Sequence, residues 1–292
     1  MQLPAIRFAV CSDIHYYDNP LHGERWDMKR AFRQMTAWGR GGGYPGLDAL
    51  AVAGDFTNSG SEKQFRDFAR HLDRRLPPET RKLVILGNHE FPEFKEQPPA
   101  YDRLARYFGH GGNIHEVVKG FHFIGISEKK MEGRMYDDMT HMFLSDALAQ
   151  AAADAPGRPI IVFHHAPLQG TVARSHHGIA ELKEILRPYP QIVDFSGHKH
   201  HPLQDESTIW RGTAESEAGA FLCIGTSSVA FPETPKDHPA YCYVTQPPWA
   251  QSQMVFCEIS ADGDVSVILW DIKNGTPYRT HRERGFSAYT II

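Results

Sequence analysis

Ile6-Arg7-Phe8-Ala9-Val10-Cys11-Ser12-Asp13-Ile14-His15 sets the pattern that the rest of the chain repeats. Its first six residues form a short apolar run, as in a buried strand, and the run ends in a polar turn. In extended backbone alternate residues share a face, so Asp13 and His15 can converge on one point. Residues 47–53, 82–86 and 159–163 repeat the plan, followed by Gly54-Asp55-Phe56-Thr57-Asn58, Gly87-Asn88-His89-Glu90 and His164-His165-Ala166-Pro167. Residues 191–195 lead in the same way into Ser196-Gly197-His198-Lys199-His200. Five expected strand ends thus carry nitrogen and oxygen donors toward one edge.

Between these strands, residues 25–38, 61–76, Ala100–Phe108 and 140–153 have helical spacing of apolar positions, with Ser61 and Thr140 as expected N-caps. The later half is richer in strands: residues 113–118, 121–127, 220–225, 254–260 and 265–270, with a hairpin turn at Ala261-Asp262-Gly263-Asp264. Alternating elements followed by a strand-rich stretch predict an α/β protein of two stacked sheets with helices outside. Two long loops, residues 16–25 and 231–251, are candidates for the mouth of a site or a cap, within one domain spanning residues 1–292.

Composition narrows the chemistry. The 292 residues are 41% hydrophobic and 23% charged, enough for a sizeable core. A formal net charge of -4 provides no global positive field for a polyanion, which disfavours long nucleic acid as a partner. Four cysteines, Cys11, Cys223, Cys242 and Cys257, lack CxxC pairing and read as reduced thiols. No apolar run approaches the roughly 20 residues of a membrane helix, and Met1 to Val10 lacks the form of a signal peptide. These features point to the cytoplasm and to no membrane partner. The compositional outlier is histidine, with 17 copies.

As a set, Asp13-x-His15, Gly54-Asp55-x-x-Asn58, Gly87-Asn88-His89-Glu90, His165-x-Pro167 and Gly197-His198-x-His200 resemble the motifs of the calcineurin-like metallophosphoesterases. The resemblance implies a four-layer α/β/β/α sandwich of two mixed sheets, with a metal site on the loops after the strands. It also implies two transition-metal or other divalent ions. Asp13, His15 and His200 would hold one, Asn88, His165 and His198 the other, and Asp55 would bridge them. All donors are N or O, which suits Mn, Fe or Zn without choosing among them. His165 is preferred over the adjacent His164 because it stands two positions before the proline, as in the family pattern, and His164 is given a supporting place behind it.

The expected activity is hydrolysis of a small phosphodiester or phosphomonoester through a metal-bound hydroxide, with His89 as general acid. Cyclic-nucleotide or glycerophosphodiester substrates are slightly favoured. The alternatives are a nuclease on single-stranded nucleic acid, which would want a basic track, and a metal-free interaction scaffold, which the intact ligand set opposes. Asn58 either reaches the bridging-water region or caps its turn. Arg174, His176, His177 and His201 read as solvated loop residues, and Tyr16, Tyr17, Trp26, Tyr241, Tyr243 and Trp249 as core aromatics by default.

Overall fold

Strand β1 (Ile6–Cys11) shows how the sequence builds a layer. Ile6, Phe8 and Val10 face one core, whereas Ala9 and Cys11 face another, so the strand separates two apolar layers. A computed structural model describes residues 3–19, 21–91, 100–129, 135–217, 219–233 and 251–283. The chain continues through α1 (Gly23–Gly39), β2 (Ala49–Ala53), α2 (Glu62–Arg75), β3 (Arg81–Ile85) and α3 (Ala100–Phe108). The hairpin β4 (Ile114–Val118) and β5 (Phe121–Gly125) follows, then α4 (Asp138–Asp154), β6 (Ile160–His164), α5 (Lys183–Leu186) and β7 (Ile192–Ser196). The last strands are β8 (Ile209–Arg211), β9 (Leu222–Gly225), β10 (Gln253–Ile259), β11 (Val265–Asp271) and β12 (Thr276–Glu283).

Two six-stranded mixed sheets result, one in the order β12-β11-β10-β1-β2-β3 and the other β4-β5-β6-β7-β9-β8. Their facing sides interlock through Phe8, which packs edge-on against Phe123 at 5.1 Å and Phe195 at 6.1 Å. Truncating a core phenylalanine of this kind costs about 3–5 kcal/mol. The helices α1 and α2 cover the outer face of the first sheet, and α4 covers that of the second. This is the expected four-layer sandwich.

Parallel pairing positions the site. Strands β1, β2 and β3 run parallel, as do β5, β6, β7 and β9. The carboxyl ends of parallel neighbours emerge at one edge, where ligand sites of α/β sheets commonly form. The two sheets are tied there directly: His165 Nδ1, after β6, donates 2.9 Å to the carbonyl of Ala53, the last residue of β2.

Helix starts are partly as expected. Ser61 caps α2 by accepting from Gln64 N. The cap of α4 is instead Asp137, and Thr140 is the donor, through its backbone N–H at 2.9 Å and its hydroxyl at 2.7 Å. A carboxylate accepts both, which a threonine hydroxyl in that place does less well. The ion pair with Lys129, together with the Thr140 hydrogen bonds, holds Asp137 down to about 2. Because the folded value lies below the unfolded one, its stabilisation is full above the ordinary aspartate range near 3.8 and disappears as pH falls toward 2. Asp137→Ala is expected to cost about 0.5–2 kcal/mol at neutral pH. Thermal midpoints at pH 7 and pH 2 check it: the difference between wild type and variant should shrink at the lower pH.

Candidate metal centre

Seven residues converge at the shared edge. Asp13 Oδ1 lies 3.0 Å from His200 Nε2 and 4.0 Å from His15 Nε2, and the two imidazole nitrogens are 3.2 Å apart. A second group joins it: His165 Nε2 is 3.0 Å from Asp55 Oδ2 and 3.1 Å from Asn88 Oδ1, which is also 2.9 Å from His198 Nδ1. Asp13, His15 and His200 form one set with metal-ligand spacing, and Asp55, His165 and His198 form another. Asp55 also belongs to a third set with His15 and His89, which places it between the groups. Every residue read from the sequence as a ligand is therefore at the site.

The backbone bends to bring them there. Asp13, His15, Asp55, His198 and His200 all have positive φ, between 45° and 67°. Such conformations cost on the order of 1–3 kcal/mol outside glycine, although aspartate and histidine adopt them more readily than most. Close packing leaves room only for glycine beside them. A Cβ at Gly54, where φ is +80°, would fall 2.7 Å from Gly87 N and from His165 Nδ1. One at Gly197 would fall 2.3 Å from Ser12 Oγ and 2.5 Å from Asp13 Oδ2.

Surrounding groups orient each donor. Asp13 Oδ2 accepts from Ser12 Oγ and, at 2.9 Å, from His198 N, whereas its Oδ1 has no hydrogen-bond partner among the described residues and faces the two imidazoles. His165 Nδ1 donates to Ala53 O and His200 Nδ1 to Phe231 O at 2.8 Å, so each ring turns Nε2 toward the site. A carbonyl on the far nitrogen is a common way to fix the tautomer of a metal-binding histidine.

The electrostatics draws positive charge to two points. Burial alone would raise Asp13, but His200, then His165 and His15, outweigh it and hold the carboxyl below the usual range. Against the effect of burial, Asp55 keeps His165 well above the ordinary imidazole value and Asp13 raises His200. Burial pushes His15 and His198 down to about 4, so they offer unprotonated lone pairs. A buried carboxylate oxygen facing two imidazoles, crowded ring nitrogens and donors of N and O type together fit divalent cations.

His164 stands apart. Its Nδ1 donates 2.7 Å to Ala166 O and its Nε2 pairs with buried Asp194 at 2.9 Å. Both nitrogens are engaged away from the site, whereas His165 stands among the converging donors. His89 Nδ1 donates 2.7 Å to the backbone carbonyl of Asn58, and its backbone N–H donates 2.8 Å to Asp55 Oδ1. Asn58 thus takes part at least through its backbone carbonyl.

Two supports were not assigned from the sequence. Glu90 is fully buried and accepts from the N–H groups of Asp55, Thr57 and Gly87 and from the Thr57 hydroxyl, at 2.8–3.0 Å. It clamps the loops after β2 and β3 together. Burial, then the neighbouring Asp55, pushes its carboxyl up to about 8. Its place in the Gly87-to-Glu90 motif was the available signal. The second support follows β9, where Thr226 Oγ1 meets Ser12 Oγ at 2.7 Å and Ser228 Oγ donates 2.8 Å to Asp13 O. Gly225-Thr226-Ser227-Ser228 is a further strand end with polar residues, the same signal as the other five.

Some expectations are corrected. His201 is buried and pairs with Asp205 at 3.1 Å, so it is not a solvated loop residue. Trp26 is 59% exposed and not a core aromatic. Most of the expected 231–251 loop, with Tyr241, Cys242, Tyr243 and Trp249, lies outside the described residues; Phe231 is within them, its ring stacked on His15 at 5.9 Å.

The family model for the calcineurin-like phosphoesterases matches residues 6–202, which contain all seven converging residues. The chain belongs to the calcineurin-like phosphoesterase family. The matched stretch carries every one of the converging donors that could hold a metal ion. No curated protein matches the sequence. Among solved structures, a purple acid phosphatase, PPD1 from yellow lupin (Lupinus luteus) seeds, superposes with a TM-score of 0.66 at 13% identity. That match covers 98% of this chain and 56% of the lupin chain, so this phosphoesterase spans just over half the length of that relative. At such identity the likeness speaks to the fold. No helix among the described residues is long and apolar enough to cross a membrane.

Proposed function

We propose that the chain is a two-metal phosphoesterase acting on a small phosphodiester or phosphomonoester. The carrying observation is the convergence of Asp13 Oδ1, His15 Nε2 and His200 Nε2 beside Asn88 Oδ1, His165 Nε2 and His198 Nδ1, with Asp55 between them. In this reading the first three residues hold one ion, Asn88, His165 and His198 hold the other, and Asp55 is shared. Bound there, two ions of the Mn, Fe or Zn type supply Lewis acidity and lower the pKa of water from 15.7 toward about 7.

The protein groups do the rest. Asn58 O holds His89 by Nδ1, which leaves Nε2 to carry the proton that a departing alkoxide needs. Glu90 keeps Asp55 and Asn88 in register by accepting from the backbone N–H groups of Asp55, Thr57 and Gly87. A net charge of -4 favours small diesters over polymeric nucleic acid, with cyclic-nucleotide or glycerophosphodiester substrates slightly ahead.

Elemental analysis after mild reconstitution is expected to show two ions per chain, with Asp55→Ala losing metal because both positions share that carboxylate. On the same preparation, small diesters should turn over faster than single-stranded DNA at matched phosphodiester concentration. A stoichiometry of one, with Asp55→Ala binding fully, would overturn the dinuclear reading. Faster degradation of the polymer than of every small ester would overturn the substrate class.

A further inference from the structure

On the helical side of the first sheet, α1 and α2 leave a cavity of about 270 Å³ lined by Tyr16, Arg25, Asp67, Arg70, His71 and Arg74. Three arginines meet one carboxylate there. That carboxylate is already served: Asp67 pairs with Lys63 at 2.9 Å, Arg66 at 3.3 Å and Arg70 at 3.8 Å. Neither Arg25 nor Arg74 forms an ion pair with a carboxylate among the described residues. Arg25 instead donates 3.1 Å to the Asp18 carbonyl and lays its guanidinium over the Tyr16 ring at 4.7 Å, and its Nε is buried without a partner.

Tyr16 supplies the second, independent observation. The residue is 1% exposed, and its hydroxyl has no hydrogen-bond partner among the described residues. Tyr16 lines the cavity together with Arg25 and Asp67, with the Arg25 guanidinium over its ring. A buried hydroxyl left unpaired costs on the order of 1–3 kcal/mol, so this one stands ready for an acceptor. The local field agrees: burial, then Arg75, Arg25 and Lys29, pushes His71 down to about 4, leaving it neutral beside the arginines.

We propose that this cavity binds a phosphate group, either free phosphate or the phosphomonoester of a small molecule. Several guanidinium groups and an unpaired hydroxyl around one cavity suit an oxyanion with several acceptor oxygens, such as phosphate. The volume accommodates one such group with a short attachment. Tyr16 directly follows His15, and its backbone carbonyl accepts from Asn58 N at 3.2 Å, so an occupant would rest on the outer side of two loops that build the metal centre. The proposal concerns anion binding and stands independently of the reaction assigned to that centre.

Calorimetric titration of inorganic phosphate into full-length Asp55→Ala protein, with the metal centre disabled, isolates the cavity. One saturable site is expected. Adding Tyr16→Phe should weaken it about tenfold, the effect of one hydrogen bond to a charged group. Adding Arg25→Met with Arg74→Met should abolish it. Glycerol 1-phosphate binding at the same site would identify an esterified phosphate as a ligand, and binding of inorganic phosphate alone would identify the free anion. Nitrophenyl diester hydrolysis by the Arg25→Met/Arg74→Met protein with Asp55 intact reports that the fold is kept. Absence of a saturable site in the Asp55→Ala protein, or affinity unchanged by both the tyrosine and the arginine substitutions, would overturn the proposal.

Discussion

His89→Asn should slow the hydrolysis of alkyl phosphodiesters by about 10²–10⁴-fold while leaving metal content at the wild-type level. The expectation rests on how the imidazole is held. Its Nδ1 is engaged by Asn58 O at 2.7 Å, so a proton given to a leaving group must come from Nε2. Nitrophenyl esters, whose leaving group departs readily as an anion, need that proton less and should be slowed far less. The ratio of the two losses is the informative quantity, measured as kcat/KM for both substrates on one metal-loaded preparation. His89 also belongs to a set with His15 and Asp55 at metal-ligand spacing, so the opposite result is physically defined. A uniform loss on both esters accompanied by metal depletion would make His89 a ligand or a structural support.

Exchanging the adjacent histidines should separate stability from metal binding. His164→Ala leaves Asp194, 1% exposed along its side chain, without the imidazole 2.9 Å away. Burial would lower His164, but Asp194 outweighs it and keeps the ring's pKa raised. Breaking a buried pair by removing one partner costs about 3–5 kcal/mol. A marked fall in thermal midpoint with both ions retained is therefore expected. His165→Ala should do the reverse in the functional assay, losing the ion next to Asn88 and His198 and with it the activity. Metal content and thermal unfolding of the two variants side by side check this. Equal metal loss in both, or more in His164→Ala, would shift the ligand position by one residue.

Much of this site is legible in the amino-acid sequence because its chemistry is tied to strand ends. A buried strand announces itself by a short apolar run, and donors after each of five such runs must emerge near one another once parallel strands align. Asp13, His15, Asp55, Asn88, His165, His198 and His200 can be named from order and spacing together with the family resemblance. The two-sheet, helix-flanked architecture is legible for the same reason: Ile6–Cys11 and its repeats, alternating with helical patterns, admit few other layer arrangements.

What local sequence could not carry was anything set by a distant partner. Strand β12 (Thr276–Glu283) contains no apolar run and exists because β11 offers it an unpaired edge, from Val265 opposite Glu283 to Asp271 opposite Thr276 with a shift of register between Leu269 and Trp270. Short β8 owes its strand form to β9 in the same way. The roles of Asn58 and Glu90 depend on groups 31 to 35 residues away, the ring of His89 in one case and the backbone of Asp55 and Thr57 in the other. The preference for His165 over His164 comes from its distance to Pro167. Its physical reason lies in the positions of Asp194 and Ala53, because successive side chains of a strand face opposite ways and packing says which face meets the second sheet. Periodicity and motif order are local properties of the chain and could be read from it directly. Hydrogen-bond partners across loops arise only when separate elements pack, and these fixed how each donor is aimed.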